Sequence, residues 1–246
     1  MMLPAFDALD GADHNLLILC DHAANAVPPG LRLGVDDALM DTHVAIDIGA
    51  GPLARALSRL LNAPAQLGKW SRLVADVNRP PDSSALAPDS SDGIAIPANQ
   101  GLTGEALEAR RAIHRDFHAN VEQQLAARRP LLLVSVHSFT PALESAPQPR
   151  PWPVAILWNR DERAARIGLG YLEAQADPGG PVGANEPYTG KMLNYTMDRH
   201  AEANGIAYLG FEVRQDLLAD GTGVARWAGL LAGCIRHVMA ELAVTA

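Results

Sequence analysis

Two histidines stand at the ends of apolar runs. His22 closes the run in LLILCDHAAN, Leu16 to Asn25, and His137 closes LLLVSVH, Leu131 to His137. Each has a polar neighbour, Asp21 or Ser138, and chain breakers follow at Pro28-Pro29-Gly30 and at Pro141. In an open α/β sheet, ligands gather outside the carboxyl ends of the strands. Two imidazoles delivered there could hold a divalent metal, and a catalytic zinc takes three protein ligands and leaves one position open. DTHVAID, residues 41–47, is the segment that could supply the third. On a helix His43 and Asp47 would share one face, so either could ligate while the other orients it. A solvated helix face or a cap would explain the same residues. Asn25 lies three residues after His22, but a neutral amide is a poor zinc ligand.

A second group lies in SRLVADVNR, residues 71–79. With a strand over Leu73 to Val77, Asn78 and Arg79 fall at its end and present a fork of donors to a carboxylate. Arg72, at the other end of that strand, could polarise a carbonyl and steady an oxyanion. A surface pairing of Arg72 with Asp76 is the structural alternative. Glu212, in YLGFEVRQDL, is a carboxylate inside an apolar strand, where burial without a partner is costly. It is expected to face a cleft with Arg214 pointing the same way, and a Glu beside an activated water acts as general base. A plain Glu212–Arg214 ion pair would be the structural reading. Ser138 and Arg214 are further candidates for substrate contact. His114 and His118, spaced i, i+4 on a long helix, read as packing before metal binding.

These residues need elements to carry them. Strands are expected over Leu16–Cys20, Ala65–Gly68, Leu73–Val77, Leu131–His137, Val154–Trp158 and Ile206–Val213. Helices are expected over Leu53–Leu61, Gly104–Arg128, Glu162–Gln175, Lys191–Ala203 and Val224–Leu242. Residues 1–14 read as a loose lead-in. Residues 82–102 and 177–189 read as loops, and a loop as long as the first is usually functional or mobile. NEPYTGK, Asn185 to Lys191, reads as a substrate-covering loop. Strands alternate with helices and no linker breaks the chain, which implies one α/β domain over residues 1–246 with a mixed, mostly parallel sheet.

The 246 residues, 48% of them hydrophobic, suffice for one sizeable core. A net charge of −8 disfavours nucleic acid and anionic membranes, which need a basic face. It does not exclude a small anionic substrate. Cys20 and Cys234 read as reduced core residues. The acidic start lacks a basic signal-peptide region, and the longest uncharged apolar runs fall short of a membrane span, so the cytoplasm is the expected compartment. P-loop, GxGxxG and G-x-S-x-G motifs are absent.

CDHAANAVP, DTHVAIDIGA, SRLVADVNRP, SVHSFTP and FEVRQDL, in this order, resemble the N-formylglutamate amidohydrolase family, from Leu16 to the final helix. The resemblance implies a zinc hydrolase with a three-layer, phosphorylase/hydrolase-like fold related to zinc carboxypeptidases and aspartoacylases. It implies release of formate and glutamate from N-formylglutamate, the last step of one histidine-degradation route. By the same resemblance His22 and His137 hold the metal, and Asn78-Arg79 hold the substrate α-carboxylate. Arg72 polarises the carbonyl, and Glu212 is the general base. The related hydrolases carry Glu where this chain has Asn25, so the third ligand falls to Asp47 or His43. Another N-acyl amino acid as substrate, a carboxypeptidase-like activity, or a carboxylate-binding protein without turnover are the competing readings.

Overall fold

The computed structural model describes residues 3–175 and 178–245. Seven strands form one mixed sheet: β1 (Phe6–Leu9), β2 (Leu16–Cys20), β3 (Ala65–Gly68), β6 (Leu132–Phe139), β7 (Val154–Leu157), β8 (Val182–Ala184) and β9 (Ala207–Arg214). Their order is β1-β3-β2-β6-β9-β7-β8. The pairs β1/β3 and β7/β9 are antiparallel, and the other four are parallel. A two-stranded ribbon, β4 (Ser90–Ser91) with β5 (Ile94–Ala95), lies apart in the long loop.

The central strands β2, β6 and β9 are buried almost throughout, as parallel strands covered on both faces must be. Alternation divides their side chains. Leu16, Ile18, Val134, Phe211 and Val213 pack under α1 (Ala50–Leu61), α3 (Arg163–Glu173) and α5 (Gly221–Thr245). Leu17, Leu19, Leu133 and Tyr208 pack under α2 (Gly104–Arg128) and α4 (Tyr195–His200). The result is three layers, helix, sheet and helix.

Several boundaries differ from the sequence reading. The lead-in contains β1, which adds an antiparallel edge to β3. Residues 73–77 form no strand. Val74 N–H bonds the Ser71 carbonyl and Arg79 N–H the Asp76 carbonyl, so the backbone is satisfied by successive turns while Leu73, Val74 and Val77 are buried. The helix expected over residues 191–203 shortens to α4 and one 3-10 turn, Glu202–Asn204. The start of the 177–189 loop lies outside the described residues. Finally, α5 is long and apolar enough over Gly221–Val244 to meet the length and composition of a membrane span, although Arg226, Arg236 and Glu241 divide it into short uncharged runs. In this fold it packs Trp227, Leu231, Ile235, Val238 and Leu242 into the core beneath the sheet.

Candidate active site

The site sits where β2 and β6 end. Beyond Cys20 the chain leaves the sheet with Asp21 and His22, both buried, and Gly68 lets the neighbouring β3 pass. A Cβ there would meet the Asp21 carbonyl oxygen at 2.0 Å, so no other residue fits. His137 lies inside β6, directly beside Glu212 of β9 in the parallel register. Both side chains leave the α2 face of the sheet, because Leu133 and Tyr208, four residues earlier in each strand, face α2 too.

Three donor atoms converge at this point. Asp47 Oδ2 lies 2.7 Å from His137 Nδ1 and 3.3 Å from His22 Nδ1. Ligand atoms of His22, Asp47 and His137 all lie within 4.8 Å of one another, and all three residues are buried. Each imidazole has a second carboxylate on its far nitrogen. His22 Nε2 is 2.8 Å from Asp76 Oδ1, and His137 Nε2 is 3.6 Å from Asp21 Oδ2. A carboxylate behind an imidazole fixes its tautomer and direction and makes it a better ligand.

Arg72 ties the cluster together. Its Nη1 donates to Asp47 Oδ1 at 3.0 Å and its Nη2 to Asp76 Oδ2 at 3.2 Å. It therefore does pair with Asp76, but inside the site. Asp47 hydrogen-bonds through both oxygens, and burial, which opposes ionisation, is outweighed by His22, His137 and Arg72, so its carboxyl stays well below the usual range. Burial also opposes the charge on His137, but Asp21 and Asp47 raise its imidazole well above the usual value. Burial and Arg72 disfavour the charge on His22, yet Asp76 and Asp47 raise it as well. Burial pushes the Glu212 carboxyl up to about 7, and its Oε2 has no hydrogen-bond partner.

The chemistry of this donor set fits a divalent cation. Four buried carboxyl groups, of Asp21, Asp47, Asp76 and Glu212, face two guanidiniums, of Arg72 and Arg79. One oxygen of Glu212 is buried without a hydrogen-bond partner, and the buried Asp21 meets positive charge only at 3.6 Å on His137, a costly arrangement unless more positive charge is supplied. The negative surplus that favours protons on both imidazoles would favour a metal in their place. Two imidazole nitrogens and one carboxylate oxygen are a zinc-type ligand set.

The cluster forms the floor of a cavity of about 290 Å3, which His43, Arg72, Asn78, Arg79, Ser138, Tyr188 and Glu212 help to line. Asn78 Oδ1 accepts the Thr196 backbone N–H at 3.0 Å, which identifies the oxygen and leaves the amide nitrogen as donor. Arg79 Nε is 3.5 Å from Asp76 Oδ2. Ser138 Oγ donates to the Ile48 carbonyl at 2.7 Å, bracing the turn that carries Asp47. Tyr188 Oη accepts from Arg150, so the 185–191 loop does reach the cavity.

Residues 42–47 are not helical, so the shared face that a helix would give His43 and Asp47 does not form. A 3-10 turn, Asp37–Asp41, is followed by further turns, so His43 and Asp47 diverge. Asp47 joins the two histidines, whereas His43 Nε2 lies 3.0 Å from Asp92 Oδ2 at the cavity wall. Asn25 is also outside the cluster, its amide donating to the Met40 carbonyl and to Asp41. Arg214 does not line the cavity. The turn Gln215–Leu218 folds Asp216 back onto its guanidinium at 2.8 Å, and its Nη1 donates to the Arg150 carbonyl. No Glu212–Arg214 pair forms. Asp21 was legible only as the polar neighbour of His22 and Asp76 only as a surface partner of Arg72; their places behind the two imidazoles were not. An acidic residue inside the apolar stretch LVADV was the available signal for Asp76.

His114 and His118 bind backbone. His114 Nε2–H donates to the Arg79 carbonyl and His118 Nε2–H to the Val77 carbonyl, each at 2.9 Å. They clamp the segment around Asn78. His118 Nδ1 then accepts from His200 Nε2 at 2.7 Å.

The family model for N-formylglutamate amidohydrolase matches residues 14–219. The chain belongs to the N-formylglutamate amidohydrolase family. It is an amidohydrolase by that membership. Gene product Atu2144 from Agrobacterium tumefaciens is 30% identical, with a TM-score of 0.90 over 97% of this chain and 96% of that one. The N-formylglutamate amidohydrolase from Ralstonia eutropha JMP134 is 18% identical, with a TM-score of 0.70 over 99% and 100% of the two chains, a likeness of fold. No curated protein matches the chain.

Proposed function

We propose that this protein is a zinc-dependent hydrolase of a small N-acyl amino acid, with N-formyl-L-glutamate, cleaved to formate and L-glutamate, as its first candidate substrate. The observation that carries the reading is the convergence of His22 Nδ1, His137 Nδ1 and Asp47 Oδ2 beside Glu212. The family and the fold of its relatives support the amide as the bond attacked.

His22, His137 and Asp47 would hold the ion. A zinc ion bound there supplies Lewis acidity and a water of near-neutral pKa. Glu212 takes a proton from the attacking water, whose oxygen bonds to the acyl carbon. As the carbon–nitrogen bond breaks, the same carboxyl returns that proton to the leaving nitrogen. Arg72 uses two N–H groups on Asp47 and Asp76, and a guanidinium carries five donors. The remaining ones steady the negative oxygen that develops on the acyl carbon. Asn78 and Arg79 receive the amino acid carboxylate. With Asp76 beside it Arg79 is already oriented, so little is lost in ordering it. Ser138 acts through the Asp47 turn, and Arg214 stays outside.

The test is formate release from N-formyl-L-glutamate by zinc-loaded protein, with a chelated sample and N-acetyl-L-aspartate alongside. Zinc-dependent formate release is expected, at a kcat/KM above that for the acetylated substrate. Turnover of N-acetyl-L-aspartate alone would keep the hydrolase and replace the substrate. Ligand binding without turnover, indifferent to chelation and to Glu212→Gln, would make the protein a carboxylate binder.

A further inference from the structure

On the far side of the Trp70–Arg72 turn lies a second cavity, of about 560 Å3. Leu31, Trp70, Leu102 and Ile113 give it apolar walls, with Pro28 and Pro29 at one side. Its one charged lining residue is Arg110 of α2, only 4% exposed. Among the described residues no hydrogen bond or ion pair reaches the Arg110 side chain, and its Nε is buried without a partner. Nearby arginines of the same helix are served: Arg111 donates to the Pro81 carbonyl and Arg115 pairs with Glu108. A buried guanidinium N–H without a partner costs roughly 1–3 kcal/mol, which an anion joining it would recover. Burial alone pulls its pKa down, with no carboxylate acting against it.

We propose that this groove binds an organic monocarboxylate with an apolar body, its carboxylate on the Arg110 guanidinium and its body against Trp70, Leu31 and Ile113. An apolar wall with one convergent polar group is the usual make-up of a small-molecule site, and the volume is in the usual range. A carboxylate meets a guanidinium through two parallel hydrogen bonds, which gives the site its polarity and its direction. A dianion would leave its second charge against the apolar wall, so a single carboxylate is the match.

The experiment is titration calorimetry of the full-length, zinc-loaded chain with sodium octanoate and, separately, with 1-octanol. Octanoate is expected to bind at one saturable site at least about tenfold tighter than octanol, the scale of one charge-assisted hydrogen bond. Arg110→Met should weaken octanoate by a similar factor and leave octanol unchanged. Ala109→Trp, at an exposed helix position that lines the groove, should block both ligands while the circular dichroism spectrum stays unchanged. If Arg110→Met does not fold, the Ala109→Trp arm decides. The proposal is overturned by octanol binding as tightly as octanoate, by octanoate binding that survives Ala109→Trp, or by no saturable binding to folded protein at millimolar concentration. Survival in Ala109→Trp would place octanoate on the arginines of the catalytic cavity instead.

Discussion

Glu212 is the residue on which the chemistry turns, since its Oε2 is buried and free of other bonds beside His137. Glu212→Gln keeps the shape and removes the base, so kcat should fall by about 10²–10⁴-fold, the usual worth of a general base, with KM and bound metal unchanged. A fall confined to KM, read from steady-state rates, would contradict that role. Asp76 acts one step back, by holding His22 Nε2 and Arg72. Asp76→Asn should lower zinc affinity by about 10–100-fold, measured by competition with a chelating dye. An unchanged affinity would make Asp76 a mere partner of Arg72. His22, His137 and Glu212 were legible in the sequence because each is a polar interruption at or within an apolar run, which needs a reason. Asp47 and His43 could not be separated, because their roles depend on where a turn points each side chain. Asp76 was hidden for the same reason, its role set by its direction and not by its spacing.

At the scale of elements, two loops meet over the cavity. Asp92, at a positive φ of 46°, accepts the Glu144 and Ser145 N–H groups, the Ser145 hydroxyl and His43. The Ser145 hydroxyl leads in holding the Asp92 carboxyl down to about 2, against a smaller effect of burial. Asp92→Ala removes the tether between the 82–102 loop and the 141–150 loop. KM should rise by about tenfold, roughly the worth of one such charged hydrogen bond, with kcat little changed. A loss confined to kcat would place Asp92 in the chemistry instead. The strands β2, β6 and β9 were readable from their apolar runs. The turns at 42–49 and 71–79 were not, because apolar residues such as Leu73, Val74 and Val77 are buried there without pairing in a sheet. Periodicity reports burial, and here burial was mistaken for a strand.

For the whole molecule, the alternation of strands and helices gave the layered α/β fold, while β1 was missed because FDAL is short and partly exposed. The fold also stores a pH response away from the cavity. Burial, followed by neighbouring positive charge, lowers His118 to about 3 and His200 to about 4. Both imidazoles are thus neutral in the native state while the unfolded chain takes up protons below about 6.5. Stability from this pair is intact above pH 6.5 and falls as the pH drops toward 4, by about 1.4 kcal/mol per pH unit for each group. His200→Gln keeps a donor for His118 Nδ1 and removes one titration. Its urea-unfolding free energy should therefore fall less steeply between pH 6 and 4.5 than that of the wild type. Parallel slopes would show that His200 is charged in the folded protein.

The central claim is that His22, His137 and Asp47 form a metal centre. Its most direct test is the zinc content of the protein after equilibration with zinc and gel filtration, in wild type and in Asp47→Ala, with folding checked by circular dichroism. One zinc per chain in the wild type, and at most a small fraction of that in the folded variant, is the predicted result. Equal zinc in both, or none in a folded wild type, would contradict it.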